Sequence, residues 1–133
     1  MIRIALFFTA ALLVFAAPTF GQDATAVDSD HYKIEFENDE VRVLRITYGP
    51  HEKSVMHEHP DAIAVTLTDG KMLMHLPDGG TADSDMTAGQ IFWTPAVTHL
   101  PENVTGEEIT VLLIEMKDDD AGDMDDDEDE DGR

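Results

Sequence analysis

The chain has 133 residues, a length that suits one domain. It contains no cysteine, which excludes disulfide bonds, thiol catalysis and any zinc or iron–sulfur site with Cys ligands. The formal net charge is −21 and no cluster of basic residues offsets it, so we expect the protein to bind neither nucleic acid nor an anionic membrane surface.

The first 21 residues have the pattern of an export signal. Arg3 supplies a positive charge, residues 4–17 form an apolar run broken only by Thr9, and small residues precede Gln22. This pattern predicts a signal peptide over residues 1–21, and hence a periplasmic or secreted protein with no membrane attachment after cleavage. A retained membrane anchor is the alternative, but an apolar run of 14 residues is short for a bilayer core of roughly 30 Å.

The middle of the chain has the pattern of an all-β domain. Residues 22–31 are small and polar and predict a flexible leader. Residues 32–117 alternate polar with apolar residues or carry β-branched runs, and Gly, Pro and Asp separate the runs. The predicted strands cover residues 32–37, 41–48, 54–59, 62–68, 71–76, 90–94 and 109–116. Asp69-Gly70 predicts a two-residue hairpin turn between the fourth and fifth of them. Such short, evenly spaced strands are typical of a sandwich or barrel.

The C-terminal residues 118–133 predict a disordered acidic tail. Residues 118–131 include eleven Asp or Glu and no basic residue, so they repel one another and bury no apolar area. We expect a solubilising role; the alternative is weak calcium binding, or binding of a cationic partner, by the polyacid. An EF-hand is excluded because the glycine falls one position too early in the loop.

Six histidines are present, and three of them have spacing that suits a metal site. His57 and His59 lie two residues apart in an extended segment, so both imidazoles face the same side. Two imidazoles on one face form half of a mononuclear metal site, although a polar strand edge would have the same pattern. His99 follows the predicted strand 90–94 and the turn at Pro95.

These histidines occur in two motifs, and with them the chain resembles the cupin family over roughly residues 32–117. The first motif is represented by His57, His59 and Gly70, with Gly49 before them at a longer spacing than the motif has. The second is represented by Gly89, Pro95, His99 and Asn103. The resemblance implies a small jelly-roll β-barrel with the histidines in its open end. It also implies a homodimer formed through the sheets.

The sequence departs from the first motif at one expected ligand. The Glu of that motif would fall at residue 63 or 64, where this chain has Ile63 and Ala64. Three neutral imidazoles can still hold Fe²⁺, Mn²⁺, Ni²⁺ or Zn²⁺ and leave positions open for water or substrate. Glu52 and Glu102 are the nearest acids in sequence. In the alternative interpretation, the histidines are remnants that line a polar pocket.

Further residues are expected to line the pocket or to lie outside it. Phe92 and Trp93 are adjacent on a strand, so one faces the barrel interior and the other a sheet or dimer contact. Pro95 and Asn103 belong to the second motif and so to its end of the barrel. Three methionines, Met56, Met72 and Met74, are expected to line the cavity or fill the core. The remaining histidines, His31, His51 and His75, are expected in the leader, in a solvated loop and on a solvent-facing strand position.

Together these features predict a small exported cupin that binds a divalent metal through His57, His59 and His99. It would bind or transform a small, anionic molecule in the barrel. If it is an enzyme, the resemblance implies metal-dependent oxidoreductase or isomerase chemistry. The alternative is a non-enzymatic barrel that binds a ligand or partner through a degenerate metal site.

Overall fold

The computed structural model describes residues 22–118. The predicted signal peptide and all but the first residue of the predicted acidic tail lie outside these residues. The described chain forms one short helix and nine strands, in the order α1 (Ala24–Val27), β1 (Tyr32–Glu37), β2 (Val41–Tyr48), β3 (His57–His59), β4 (Ala62–Thr66), β5 (Gly70–His75), β6 (Thr81–Met86), β7 (Ile91–Thr94), β8 (Val97–Asn103) and β9 (Ile109–Met116). Within residues 22–118, no helix is long and apolar enough to span a bilayer.

The strands pair into two antiparallel sheets that face each other. The order is β1-β2-β9-β4-β7 in one sheet and β3-β8-β5-β6 in the other. Inward side chains of both sheets form the core, which includes Leu44, Tyr48, Met72, Ile109 and Leu113. This double-sheet jelly roll confirms the predicted all-β fold class.

Sequence patterns located most strands but missed two. Strands β1, β2 and β9 have the bounds that the sequence patterns predict. Strands β2 and β9 bury long apolar side chains on their inner faces, whereas Tyr32 is the buried residue of β1. Strand β6 (sequence TADSDM) was missed because it lacks β-branched and aromatic residues after its first position. Strand β8 was missed because Pro101 lies inside it, and proline within a run argues against a strand.

The hairpin predicted at Asp69-Gly70 is wrong. Strand β4 pairs with β7 and β9 whereas β5 pairs with β6 and β8, so the connection crosses from one sheet to the other. Glycine is needed at position 70 for space, because a Cβ there would lie 2.5 Å from Cδ1 of buried Ile109. A hairpin does join β5 to β6, and Gly79 in its turn has the positive φ of 86°.

The N-terminal segment (residues 22–31), predicted to be a flexible leader, packs against the barrel instead. Asp23 caps helix α1 by accepting from the Thr25 N–H at 2.8 Å, and Ala24 is fully buried. The backbone N–H of Glu58 donates to the Gln22 carbonyl at 2.9 Å. The composition suggested a leader because short polar residues bury little apolar area by themselves. Partners such as Arg42, Ser54 and Glu58 lie 19 to 36 residues further along the chain, which local patterns do not reveal.

Candidate metal centre

The pairing of β3 with β8 brings the three predicted ligands to one place. His57 lies directly opposite His99, and His59 lies two residues along on the same inner face as His57. His57 and His59 are 1% and 5% exposed. One possible ligand atom from each of the three imidazoles lies within 4.8 Å of the others. This spacing suits the binding of one ion at their centre.

Hydrogen bonds orient the rings. The Nδ1 atom of His57 lies 2.8 Å from the Val55 carbonyl, to which it donates as an N–H. The Nδ1 atom of His59 lies 2.7 Å from Oε1 of Glu115, and its N–H donates a hydrogen bond to that carboxylate. Because these bonds occupy Nδ1, the Nε2 atoms of both rings are left as acceptors for a metal.

Two of the three imidazoles carry a nitrogen that nothing in the described protein satisfies. Among residues 22–118, the Nε2 atoms of His57 and His99 are the buried side-chain polar atoms without a hydrogen-bond partner. An unpaired polar atom in the interior normally costs about 1–3 kcal/mol. A metal ion bound to these nitrogens would remove that cost, so the residues present fit a divalent metal.

Burial keeps the imidazoles in the form that binds metal. Burial, with a smaller contribution from the neighbouring His59, lowers the pKa of His57 to about 4. Burial and the neighbouring His57 and His59 lower the pKa of His99 to about 3. Both rings are therefore neutral at pH 7, with lone pairs available for coordination.

The expected fourth ligand is absent from the cluster of described residues. Ala64 faces the interior and lines the cavity beside the histidines, whereas Ile63 faces outward, so position 64 corresponds to the missing carboxylate. Neither alternative acid replaces it. Glu52 accepts from the Gly49 N–H and bonds His31, and Glu102 bonds His75. The group consists of three histidines, His57, His59 and His99.

Side chains outside the cluster contact two of its histidines, namely Glu115 at His59 and Ser54 at His57. Glu115, 2% exposed, also accepts from Arg42 at 2.6 Å, and Arg42 in turn donates to Asp23 of the N-terminal segment. On the other side, Ser54 donates to Asp28 and lies 3.3 Å from Nδ1 of His57.

The sequence analysis missed these supporting residues. Glu115 had a signal, because it continues the inward alternation of β9 that passes through the buried residues Ile109 and Leu113. A carboxylate at such a position needs a partner inside the barrel. The parts played by Asp23 and Asp28 follow from the packing of the N-terminal segment, so no local pattern pointed to them.

A cavity of about 110 Å³ lies beside His59 and His99 between the two sheets. Of the four predicted pocket or motif residues, Phe92 lines this cavity, whereas Trp93 points outward and is 55% exposed. Pro95 is exposed and lies outside the cavity lining. Asn103 is fully buried elsewhere, where its amide donates to the carbonyls of Gly49 and Glu107. It therefore closes a loop and does not contact the cavity.

The remaining histidines take other positions. His31 stacks on Tyr48 with ring centroids 4.5 Å apart and bonds Asp28, so it is packed and not part of a leader. His51 is exposed in its loop, as expected. His75 faces outward, opposite the inward-facing Met72, and bonds Glu102.

A two-sheet jelly roll with histidines from two motifs on its inner face defines the class of protein as a cupin-type barrel. The chain belongs to the cupin family. It is 30% identical over 86 residues to the β-alanine degradation protein BauB of Pseudomonas aeruginosa, a match that covers 63% of this chain and 90% of the relative.

Solved structures agree with this assignment. A cupin domain from Bordetella pertussis is 27% identical, with a TM-score of 0.61 over 65% of this chain and 91% of that one. An RmlC-like cupin from Methanocaldococcus jannaschii shares the fold, with 14% identity and a TM-score of 0.51 over 64% of this chain and 77% of that one. No family model matches the chain.

Proposed function

We propose that this protein is an exported cupin that binds one divalent metal ion through His57, His59 and His99. The metal would be Fe²⁺, Mn²⁺, Ni²⁺ or Zn²⁺, which imidazole nitrogens bind well. The observation that carries the proposal is the pair of buried Nε2 atoms, on His57 and His99, that lack a partner in the described protein. Export to the periplasm or beyond rests on the sequence of residues 1–21.

The bound metal would recruit a small anionic molecule. Three neutral ligands leave the full dipositive charge of the ion uncompensated, so a carboxylate or an enolate is the expected partner. When bound, the metal supplies Lewis-acid or oxygen chemistry, which corresponds to an isomerase or an oxidoreductase. The chain would position the ligand through the cavity wall and exclude water with its apolar side chains.

A non-enzymatic binding barrel is the second candidate function. It is favoured by Ala64, which stands where a carboxylate ligand is expected and leaves the metal with three protein ligands. One relative is named for β-alanine degradation, and β-alanine carries a carboxylate, so β-alanine is one compound to test for binding.

Metal analysis of the purified protein tests the metal site. We expect about one ion per chain after exposure to Zn²⁺ and dialysis, since three imidazoles with open positions form a mononuclear site. A His57→Ala/His59→Ala variant should retain almost none, because two of its three ligands are removed.

A His51→Ala/His75→Ala variant is the matched control, since it removes two imidazoles outside the cluster and should bind as much metal as the wild type. Near-zero metal in both the wild type and the His57→Ala/His59→Ala variant would overturn the proposal.

We also propose that the protein forms a homodimer through the outer face of its five-stranded sheet. Register aligns five apolar residues in one row across that face, namely Phe36, Val43, Ile114, Ile63 and Trp93. Phe36 and Trp93 are 53% and 55% exposed, whereas the outer face of an antiparallel sheet is usually polar. The acidic surface elsewhere disfavours other contacts between copies, so the apolar row is the expected contact.

Light scattering coupled to size-exclusion chromatography tests the dimer. The wild type should elute with twice the mass of one chain, and Trp93→Glu should elute as a monomer because it places a charge in the contact. Glu35→Gln, on the same sheet but outside the row, should leave the mass unchanged. A wild type that is monomeric at high micromolar concentration would contradict the proposal.

A further inference from the structure

The cavity beside the histidines is apolar except at its histidine end and at a few hydroxyl groups. Three methionines, Met72, Met74 and Met86, line it together with Phe92 and aliphatic side chains of β2 and β9. None of the described residues that line it is Lys, Arg, Asp or Glu. The part of a ligand that lies in this cavity therefore contacts methylene, thioether and aromatic ring surfaces.

Two tyrosines in the lining do not supply a charge either. The hydroxyl groups of Tyr32 and Tyr48 lie 2.5 Å apart and bond each other. A tyrosine hydroxyl is an uncharged group at pH 7, because its ordinary pKa is about 10. Both side chains are therefore neutral at pH 7, so neither can balance a charged group on a ligand.

The cavity lining therefore favours ligands that carry one charged group over ligands that carry two. One anionic group can reach the histidine end, where the proposed metal would compensate it. A second charge on the ligand would have to enter the apolar part without a partner, and burying an unpaired charge is strongly unfavourable.

Cavity volume limits the size of the apolar body. An apolar cavity of about 150 Å³ holds a benzene molecule, so the 110 Å³ here suits a body of about four carbon atoms. Methionine side chains are flexible, so the cavity can accept either a linear or a branched hydrocarbon chain.

We propose that the ligand is a monoanion with a small uncharged hydrocarbon body, of the class of short-chain monocarboxylates. This inference rests on the proposed metal site and specifies which anions that site accepts. The carboxylate lies at the histidine end, and the hydrocarbon chain lies among the methionines and Phe92.

Calorimetric titration of the Zn²⁺-bound protein tests the inference. From acetate to butyrate, affinity should rise about fourfold for each added CH₂, which is the fold-change that corresponds to about 0.8 kcal/mol per buried methylene. The rise should stop once the body exceeds about four carbons, because the cavity is then full.

Butyrate and β-alanine form a matched pair, because they have the same number of heavy atoms and differ in a terminal methyl against an ammonium group. Butyrate should bind at least about tenfold more tightly, since the ammonium has no counter-charge in the cavity. Equal or tighter binding of β-alanine would overturn the inference. Succinate, with a second carboxylate, should bind as weakly as β-alanine.

A cavity-filling variant locates the binding site. Ala64→Leu should lose the gain in affinity between acetate and butyrate, because its side chain occupies the space of the hydrocarbon part of the ligand. Val65→Leu, one residue away on the outer face and outside the apolar row proposed for the dimer, is the control and should behave as the wild type. If Ala64→Leu does not fold, Ala64→Val makes the same test with a smaller change.

The outcomes separate the two proposals. Zinc uptake without the butyrate preference overturns the ligand class and leaves the metal site intact. Failure of the wild type to take up zinc overturns the metal site and the ligand class that rests on it.

Discussion

Replacing Glu115 with Ala is expected to lower the free energy of unfolding by about 3 kcal/mol, because it removes the acidic partner of a buried ion pair. His59 would lose the acceptor of its Nδ1–H, and Arg42 would lose one of its two carboxylate partners. The effect stays at the lower end of the range for such pairs, since Arg42 keeps Asp23 and is 16% exposed. Chemical denaturation of metal-free protein measures the change.

The same variant should weaken metal binding. Because Glu115 fixes the tautomer and orientation of His59, its loss should reduce Zn²⁺ affinity by roughly 10- to 100-fold. Glu115→Gln keeps an acceptor of the same shape and should recover part of this affinity.

Glu35→Ala provides the control for Glu115→Ala, because Glu35 pairs with Arg45 where both side chains are 43% exposed. An exposed pair contributes little, so this variant should leave stability and metal affinity nearly unchanged. If Glu115→Ala were no more destabilising than Glu35→Ala, the assigned role of Glu115 would be wrong.

Stability of the metal-free protein should fall steeply as the pH is lowered from about 6.5 to 4.5. The folded pKa values of His57 and His99, about 4 and about 3, lie below the ordinary value of 6.5. In this window His57 and His99 bind protons in the unfolded chain but stay neutral in the folded chain. Lowering the pH therefore favours unfolding. The contribution is fully present above pH 6.5 and is lost as the pH falls towards the folded pKa values.

Each such histidine should add a slope of up to about 1.4 kcal/mol per pH unit to the free energy of unfolding. His31 acts in the opposite sense, because its partner carboxylates raise its pKa despite burial; its stabilising contribution grows as the pH falls through 6.5, so it opposes the slope only at the upper edge of this window. Asp23 and Asp28 have lowered pKa values, since their hydrogen bonds outweigh burial, and they act only in more acidic solution.

Urea unfolding at several pH values measures this slope. The His99→Leu variant should lose about 1.4 kcal/mol per pH unit of it, because Leu fills the site without a titrating group. His51→Gln replaces an exposed imidazole and should retain the full slope. An unchanged slope in His99→Leu would show that burial of His99 does not control acid unfolding.

Much of the site was predictable because it depends on local periodicity and on two motifs. The period of two along a strand places His57 and His59 on one face whatever the rest of the fold does. The register of β3 with β8 then adds His99, at the position that the motif resemblance had indicated. The adjacent pair Phe92 and Trp93 followed the same rule, with one residue inside and one outside.

Other features were not predictable, for identifiable reasons. Gly70 looked like a hairpin glycine because Asp-Gly is a strong turn signal, but its role is to avoid Ile109. The N-terminal segment looked like a leader because its residues are small and polar. Its Asp23 and Asp28 find their partners Arg42 and Ser54 only when distant strands come together.

The sequence by itself determined the all-β class, the shared face of His57 and His59 and the absence of a carboxylate at positions 63 and 64, since these depend on residue identity and on the period of a strand. Only the tertiary structure decided that Glu115 supports His59, that residues 22–31 brace the barrel and that the cavity is apolar. The physical reason is that these features arise from pairing and packing between residues far apart in the chain, which local patterns of hydrophobicity do not encode.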